Sequence, residues 1–541
     1  MKLLSQFCKI EDHGGSAFLF QKTKSYYFND PLLSAASLLL VRQVKVEKLS
    51  CTKKLVRLLI SCNRADNIVT GKQLHGIIVK SGHISDASIA ASLTDMYSKC
   101  GFVREAHSVF EVIKRKDCVL WNVMVACHAF NGYGKDAYKV FEFMRLQGLV
   151  GDGFTFSVLF NSCGSLGCLV LGKQTHGLVV RMGLLDVDVV VCSSLLDMYA
   201  KCSAIDDACK LFDSMLVRNV VSWNAMIVGY GHCSQGEEAI KLLVDMLRGC
   251  CKPDELTLSS VLSSCASLAA AIESEQVHGF AVKNGLQTFI SVGNALIISY
   301  AKSGSINDAY KCFCSVSERN LVTWTSMICS FAFHGFAARA IGLFEGMLQG
   351  GGRPDSIAFV GVLSACSHAG LVKTGLEYFE SMVKEYQIKL CEEHYTCLVD
   401  LLGRAGQVYE AYNVISQMPC KPNADALGAF LSGCKVHGKA ELAKWAADKL
   451  FSMEPDEPVN YKSMANIYAS SQLWEGVAKI RRTMKDNCSK RVPGCCWVEI
   501  NGRVHTFFSS DKSHPEALGI YSTLEMLIKL MTDEYFRCHD I

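Results

Sequence analysis

Residues 220–254 read VVSWNAMIVGYGHCSQGEEAIKLLVDMLRGCCKPD. Ala239, Leu242, Leu243 and Met246 stand at i, i+3, i+4 and i+7, the spacing of one apolar helix face. Ser-Gln-Gly at 234–236 breaks the chain before that run and Gly249 follows it, so the stretch reads as two short helices joined by a turn. Neither helix can hide its apolar stripe alone. Burial requires neighbours of the same kind.

Those neighbours are present in the chain. Trp121 in LWNVMVACHAF, Trp223 in SWNAMIVGYGH and Trp324 in TWTSMICSFAF are 102 and 101 residues apart. His75 in GKQLHG, His176 in GKQTHG and His278 in SEQVHG step by 101 and 102. Tyr97, Tyr199 and Tyr300, in DMYSKCG, DMYAKCS and ISYAKSG, step by 102 and 101. The shared period divides into three classes of unit: 118–152, 220–254 and 321–355; 52–86, 153–188, 255–289 and 356–391; and the shorter 87–117, 189–219, 290–320 and 392–423. Eleven stacked helix pairs of 31 to 36 residues predict an all-α chain, an α-solenoid.

Composition agrees with this and excludes several function classes. Of 541 residues 50% are hydrophobic and 20% charged, which is not the balance of a disordered chain. Only nine prolines occur, and none between Pro31 and Pro253, leaving a long stretch without the main helix breaker. The net charge is +3, so any basic face is local. The densest cluster is Lys479, Arg481, Arg482 and Lys485; a phosphate contact and a solvated helix face are equal alternatives for it. The 27 cysteines are scattered through apolar contexts, as expected of reduced, packed side chains, and no two C-x-x-C pairs stand at zinc-ribbon spacing. No apolar run reaches the roughly 18 residues of a membrane span, so no membrane partner is expected. No cofactor is implied. Residues 1–51 carry lysines, serines and aromatics, a weak organelle transit pattern.

The motifs WNAMIVGY, DMYAKC, GKQTHG, HAGLVKTGLEYF (368–379) and EHYTCLVDLLGRAG (393–406) resemble plant pentatricopeptide repeat proteins, and the three unit classes resemble the P, L and S motifs of the PLS subclass. The tetratricopeptide pattern is not met. Within 424–488, residues 426–456 and 461–485 resemble two E motifs. In the final segment, 489–541, PGCCWVEINGRVHTFFSSDKSHP (493–515) resembles the start of the E+ and cytidine-deaminase-like DYW region, ahead of an amphipathic helix from Ala517 to Tyr535. The resemblance implies a right-handed superhelix that binds single-stranded RNA in an organelle, the mitochondrion ahead of the plastid.

In that family the fifth and last residues of a unit read one base. Carried onto this chain, the P-like pairs are Asn122 with Asp152, Asn224 with Asp254, and Thr325 with Asp355. The S-like pairs are Ser193 with Asn219, Asn294 with Asn320, and Thr396 with Asn423. The resemblance implies the strand U-x-A-U-x-Y-G-x-A, read with the protein N-terminus at the RNA 5′ side. Ala91 with Asp117 departs from the code. Asn and Asp also cap helices and fill turns, a bland alternative for the same residues.

The three recurring histidines are expected to be packed or capped, since residues three units apart cannot share a metal. The tryptophans are expected to pack between helices, not to stack on bases. The C-terminal resemblance implies C-to-U RNA editing, with the deaminase supplied in trans. That enzyme needs a His-x-Glu and a later C-x-x-C to hold zinc. His514-Pro515-Glu516 matches the first string by chance and only Cys538 follows it, so no enzyme activity is expected of these residues. An RNA splicing or stability factor without editing, and a helical protein-binding scaffold, stand as alternatives.

Overall fold

The computed structural model describes residues 52–487 except 64–66 and 186, and residues 495–539 except 501–502 and 509–511. The transit-like stretch 1–51 lies outside them. The chain divides into two compact units, one up to Leu268 and one from Ala269.

The first unit is a series of helix pairs. They are Thr52–Ser61 with Ile68–Lys80, Ala87–Lys99 with Val103–Val112, Cys118–Phe130 with Gly134–Leu146, Gly153–Leu166 with Leu169–Arg181, Val189–Lys201 with Ile205–Ser214, and Val220–His232 with Gly236–Arg248; Glu255–Leu268 follows. Each first helix from Ala87 onward packs on the first helix of the next pair. Ala239, Leu243 and Met246 are buried and Leu242 half-buried, as the period predicts. Removing one such Leu or Met from water stabilises the stack by roughly 1.5–3 kcal/mol.

The second unit continues the same scheme. It runs Ala271–Lys283, then Ile290–Lys302 with Ile306–Ser315, Leu321–Phe333 with Ala337–Gln349, Ser356–His368 with Val372–Lys384, Glu392–Arg404 with Val408–Gln417, Ala424–Val436 with Ala440–Met453, and Pro458–Ser470 with Trp474–Asn487. Its last pairs share one core around Leu398, Leu402, Phe430, Ala446 and Met464.

Turns within pairs follow one recipe. A left-handed residue ends the first helix, Gly132 and Gly335 for example, and the next N–H reaches back to close the last turn. At 234 the chain uses Ser in that conformation (φ 59°); Gln235 N–H bonds the Tyr230 carbonyl at 2.9 Å. Glycine would adopt the same backbone without a Cβ clash.

The sequence landmarks are the mortar between pairs. Trp121, Trp223 and Trp324 meet Phe110, Phe212 and Phe313 edge-on, with ring centroids 4.9, 4.9 and 5.2 Å apart. Arg218 and Arg319 lie over the Phe212 and Phe313 rings at 4.4 and 4.6 Å. The histidines pair with the tyrosines of the other landmark: His75 with Tyr97, His176 with Tyr199 and His278 with Tyr300, Nδ1 to hydroxyl at 2.9, 2.8 and 2.9 Å. Burial pushes all three histidines below their usual pKa, favouring the neutral ring that can accept from the hydroxyl.

One departure from an all-α chain stands in the C-terminal segment. Strands Cys495–Ile500 and Arg503–Phe508 pair antiparallel, with Ile500 opposite Arg503 and Cys495 opposite Phe508. The runs CCWVEI and RVHTFF are rich in β-branched and aromatic residues, and Asn-Gly between them is a strong hairpin signal that outweighs the helical trend before it. A last helix, Ala517–His539, follows. Among the described residues no helix is long and apolar enough to cross a membrane.

Candidate nucleic-acid interface

Every fifth-position residue lies on the first helix of its pair, and every last residue directly precedes the next first helix. Asn122, Asn224, Asn294, Ser193 and Thr325 are buried, and Thr396 is half-buried. Their partners are more open: Asp152 is exposed, and Asn219, Asp254, Asn320, Asp355 and Asn423 are half-buried.

The capping alternative is physically real. Asp152, Asn219, Asn320, Asp355 and Asn423 accept the backbone N–H three residues on, and Thr257 N–H reaches Asp254 in the same way at 2.8 Å. Capping uses one oxygen and does not exhaust the side chain. The same carboxylates also meet the fifth residue of their own unit. Asn122 Nδ2 donates to both Asp152 oxygens at 3.0 and 2.9 Å, and Asn224 Nδ2 to both Asp254 oxygens at 3.0 and 3.3 Å. Ser193 Oγ reaches Asn219 Oδ1 at 3.3 Å, and Thr396 Oγ1 reaches Asn423 Oδ1 at 3.5 Å. Four of the six pairs are therefore brought together.

Two pairs are not. Thr325 turns its hydroxyl to the Val322 carbonyl at 3.1 Å, while Asp355 caps Ala358 N–H. Asn294 and Asn320 are not bonded to each other, and Asn294 Oδ1 is buried without a hydrogen-bond partner. An unmet buried carbonyl of this kind costs about 1–3 kcal/mol until something donates to it.

Two threonines complete the clamps and were not singled out from sequence. Thr257 Oγ1, fully buried, lies 2.6 Å from Asn224 Oδ1 and 2.8 Å from Asp254 Oδ1, and accepts Asp254 N–H at 3.1 Å. Thr155 repeats the arrangement beside Asn122 and Asp152. The signal was an Asp followed three residues later by Thr, a capping-box spacing, where the third copy has Ala358. Burial pushes the Asp254 carboxyl up, but the Thr257 and Asn224 donors outweigh it and hold it below the ordinary value.

A row of apolar side chains was also missed. Val119, Val190, Val221 and Val322 sit one helical turn before Asn122, Ser193, Asn224 and Thr325, and are 53–62% exposed. Phe154, Leu256 and Ile357 hold the same second position in the intervening units and are exposed as well. Four of the six polar pairs thus have an exposed apolar side chain one turn before them, while the Asn294 and Thr396 units carry Ser291 and Glu393 there.

The other candidates have structural surroundings of their own. Trp121 and Trp223 are buried and unavailable to bases. Burial pushes the Cys100 and Cys202 thiols up, away from reactive thiolate. His514 has a neighbour at each ring nitrogen: Nε2 meets His505 Nδ1 at 2.8 Å, and Nδ1 accepts Glu516 N–H at 3.1 Å.

Family models match in the same places. The PPR repeat matches residues 92–118, 190–220, 294–321, 322–351, 357–386 and 393–421, and a second PPR repeat family model matches 116–165 and 218–267. The E motif matches 437–499 and the E+ motif 504–531. Among Arabidopsis thaliana relatives, the mitochondrial pentatricopeptide repeat-containing protein At2g46050 is 44% identical over 440 residues, covering 81% of this chain and 74% of its own length. The chloroplastic protein CRR2 is 34% identical over 482 residues, covering 88% and 73%. Other relatives are longer, and the chain spans 57% of At1g11290. Among solved structures, PPR10 in complex with an 18-nucleotide psaJ RNA element superposes with a TM-score of 0.56 at 16% identity, covering 85% of this chain and 72% of that one, a likeness of fold. The chain belongs to the pentatricopeptide repeat family and carries E and E+ motifs in addition to its repeats.

Proposed function

We propose that this protein binds single-stranded RNA in a sequence-specific way and serves an organelle, the mitochondrion by preference, as a site-recognition factor for C-to-U editing. The observation that carries the proposal is an interface unit present in four of the six pairs: a buried Asn, Ser or Thr, a capping Asp or Asn, and an exposed apolar side chain one turn away. A splayed base fits that chemistry. Its faces pack between successive apolar residues, and its edge meets the polar pair. RNA is the ligand held by the like-folded PPR10, and relatives are named mitochondrial or chloroplastic, which supports the choice of ligand and compartment.

The editing role rests on the E and E+ motifs. The deaminase chemistry is assigned to a partner acting in trans, since these residues offer no C-x-x-C after His514. Asn224→Thr tests the reading at one base. It converts an Asn/Asp pair to the Thr/Asp pair found at Thr325 and Asp355. Preference at the fourth position of U-x-A-U-x-Y-G-x-A should move from U to G. An unchanged preference contradicts the assignment. For editing, loss of the protein should abolish conversion of one cytidine downstream of the matched transcript segment; full conversion leaves only RNA binding without editing.

A further inference from the structure

The basic cluster of the last helix pair is not used by the base-reading positions. Those lie on first helices or directly before them, whereas Lys479, Arg481, Arg482 and Lys485 lie on the second helix Trp474–Asn487. All four are exposed. Several cations on other second helices are paired within their own helix: Lys139 with Asp136 at 2.9 Å, Lys241 with Glu238 at 2.6 Å, Lys311 with Asp308 at 2.8 Å and Lys384 with Glu380 at 2.7 Å. Glu475 and Asp486 stand at the i, i+4 spacing for Lys479 and Arg482, yet neither forms an ion pair with them.

Lys479 lies about 140° round the helix from Trp474, whereas Arg481 and Lys485 share the face of that aromatic ring. Trp474 is 65% exposed. Trp474, Arg481 and Lys485 stand at i, i+7 and i+11, within about 40° of arc, and span about 16 Å of helix; Arg482 adjoins them. Val477, buried, lies about 60° to one side of Trp474 on the helix. A strip of unneutralised cations headed by an open indole is complementary to a polyanion that also offers flat π-faces. Single-stranded nucleic acid has both properties, and an acidic protein surface supplies only the first.

We propose that this face binds the backbone of single-stranded RNA on the 3′ side of the bases addressed by the repeats, with Trp474 stacking on one base. The proposal rests on the RNA-binding reading above and on its polarity. The test uses the full chain and two RNAs: U-x-A-U-x-Y-G-x-A alone, and the same strand with a 3′ extension of twelve uridines. Affinities are measured across a salt series for wild type, R481Q/R482Q/K485Q and W474A. On the extended strand the triple variant should lower the slope of log K against log salt by about 2, since each phosphate contact contributes roughly 0.7 on single strands. W474A should weaken binding about tenfold there. Neither variant should change binding of the short strand. Equal slopes for wild type and triple variant on the extended strand overturn the proposal and leave the face to an acidic protein partner. An effect transferred to a 5′ extension overturns it as well. Failure of the base-reading proposal shows separately, as loss of preference for the short strand over its base-swapped form.

Discussion

Thr257→Val should loosen the junction between units 220–254 and 255–289 although Thr257 is not itself a base-reading position. The hydroxyl proton is shared between Asn224 Oδ1 at 2.6 Å and Asp254 Oδ1 at 2.8 Å, and the oxygen accepts Asp254 N–H at 3.1 Å. Valine has nearly the same shape and none of these bonds. It leaves the Asn224 carbonyl and the Asp254 N–H unmet, each at about 1–3 kcal/mol, and its extra methyl returns about 0.8 kcal/mol. The net loss is about 1–5 kcal/mol, centred near 3 kcal/mol. Repeat arrays do not unfold as one cooperative block, so a single melting temperature would blur the effect. Hydrogen exchange by mass spectrometry resolves it. Amides in 220–232 and 255–268 should exchange about 150-fold faster, with Ser259→Ala, a half-buried hydroxyl that meets only the Leu256 carbonyl of its own helix, as control. The carboxyl adds a pH signature. Asp254 is held below its ordinary pKa, so its contribution is complete above about pH 4 and fades as pH falls through the lower folded value. Thr257→Val removes donors to that carboxylate and should flatten this dependence. Exchange within twofold of wild type at neutral pH would refute the clamp.

Further consequences follow from the packing. The His75, His176 and His278 rings are held below their usual pKa by burial, so their stabilising effect is complete above about pH 6.5 and is lost as pH falls toward the folded values; thermal stability should drop between pH 7 and pH 5, and less so in H75Q/H176Q/H278Q. Ser234→Gly relieves a left-handed Ser (φ 59°) and should slow amide exchange in 220–248 by two- to fivefold, about 0.5–1 kcal/mol; faster exchange would contradict the turn. Trp223→Ala removes a buried ring packed on Phe212 and Arg218 and should cost about 3–5 kcal/mol locally, seen as protease cleavage within 205–232.

Much of this molecule was legible because its physics is repetitive. The stripe Ala239, Leu242, Leu243 and Met246 announces a helix, and a period common to Trp, His and Tyr announces copies that must stack. What stayed hidden depends on contacts between helices. His176 and Tyr199 lie 23 residues apart on helices of different units, and their periodicity does not say that one bonds the other. Thr257 was invisible for the same reason, since its meaning comes from Asn224, 33 residues earlier. Val221 looks like any core valine until the fold leaves it 61% exposed beside Asn224. Capping and base reading looked like rivals for Asp152 and Asp254. In the folded chain one carboxylate caps a helix with one oxygen and holds the neighbouring Asn with both, so capping alone does not describe what these residues do.

The most direct test is a mobility-shift comparison with purified full-length protein at fixed salt. One single-stranded RNA carries U-x-A-U-x-Y-G-x-A, and the other has the addressed bases swapped at the same length. Clear preference for the first is the expected result and would establish register, polarity and the roles of Asn122, Asn224 and their partners together. Equal binding to both strands, or binding to neither, would contradict base reading by these residues.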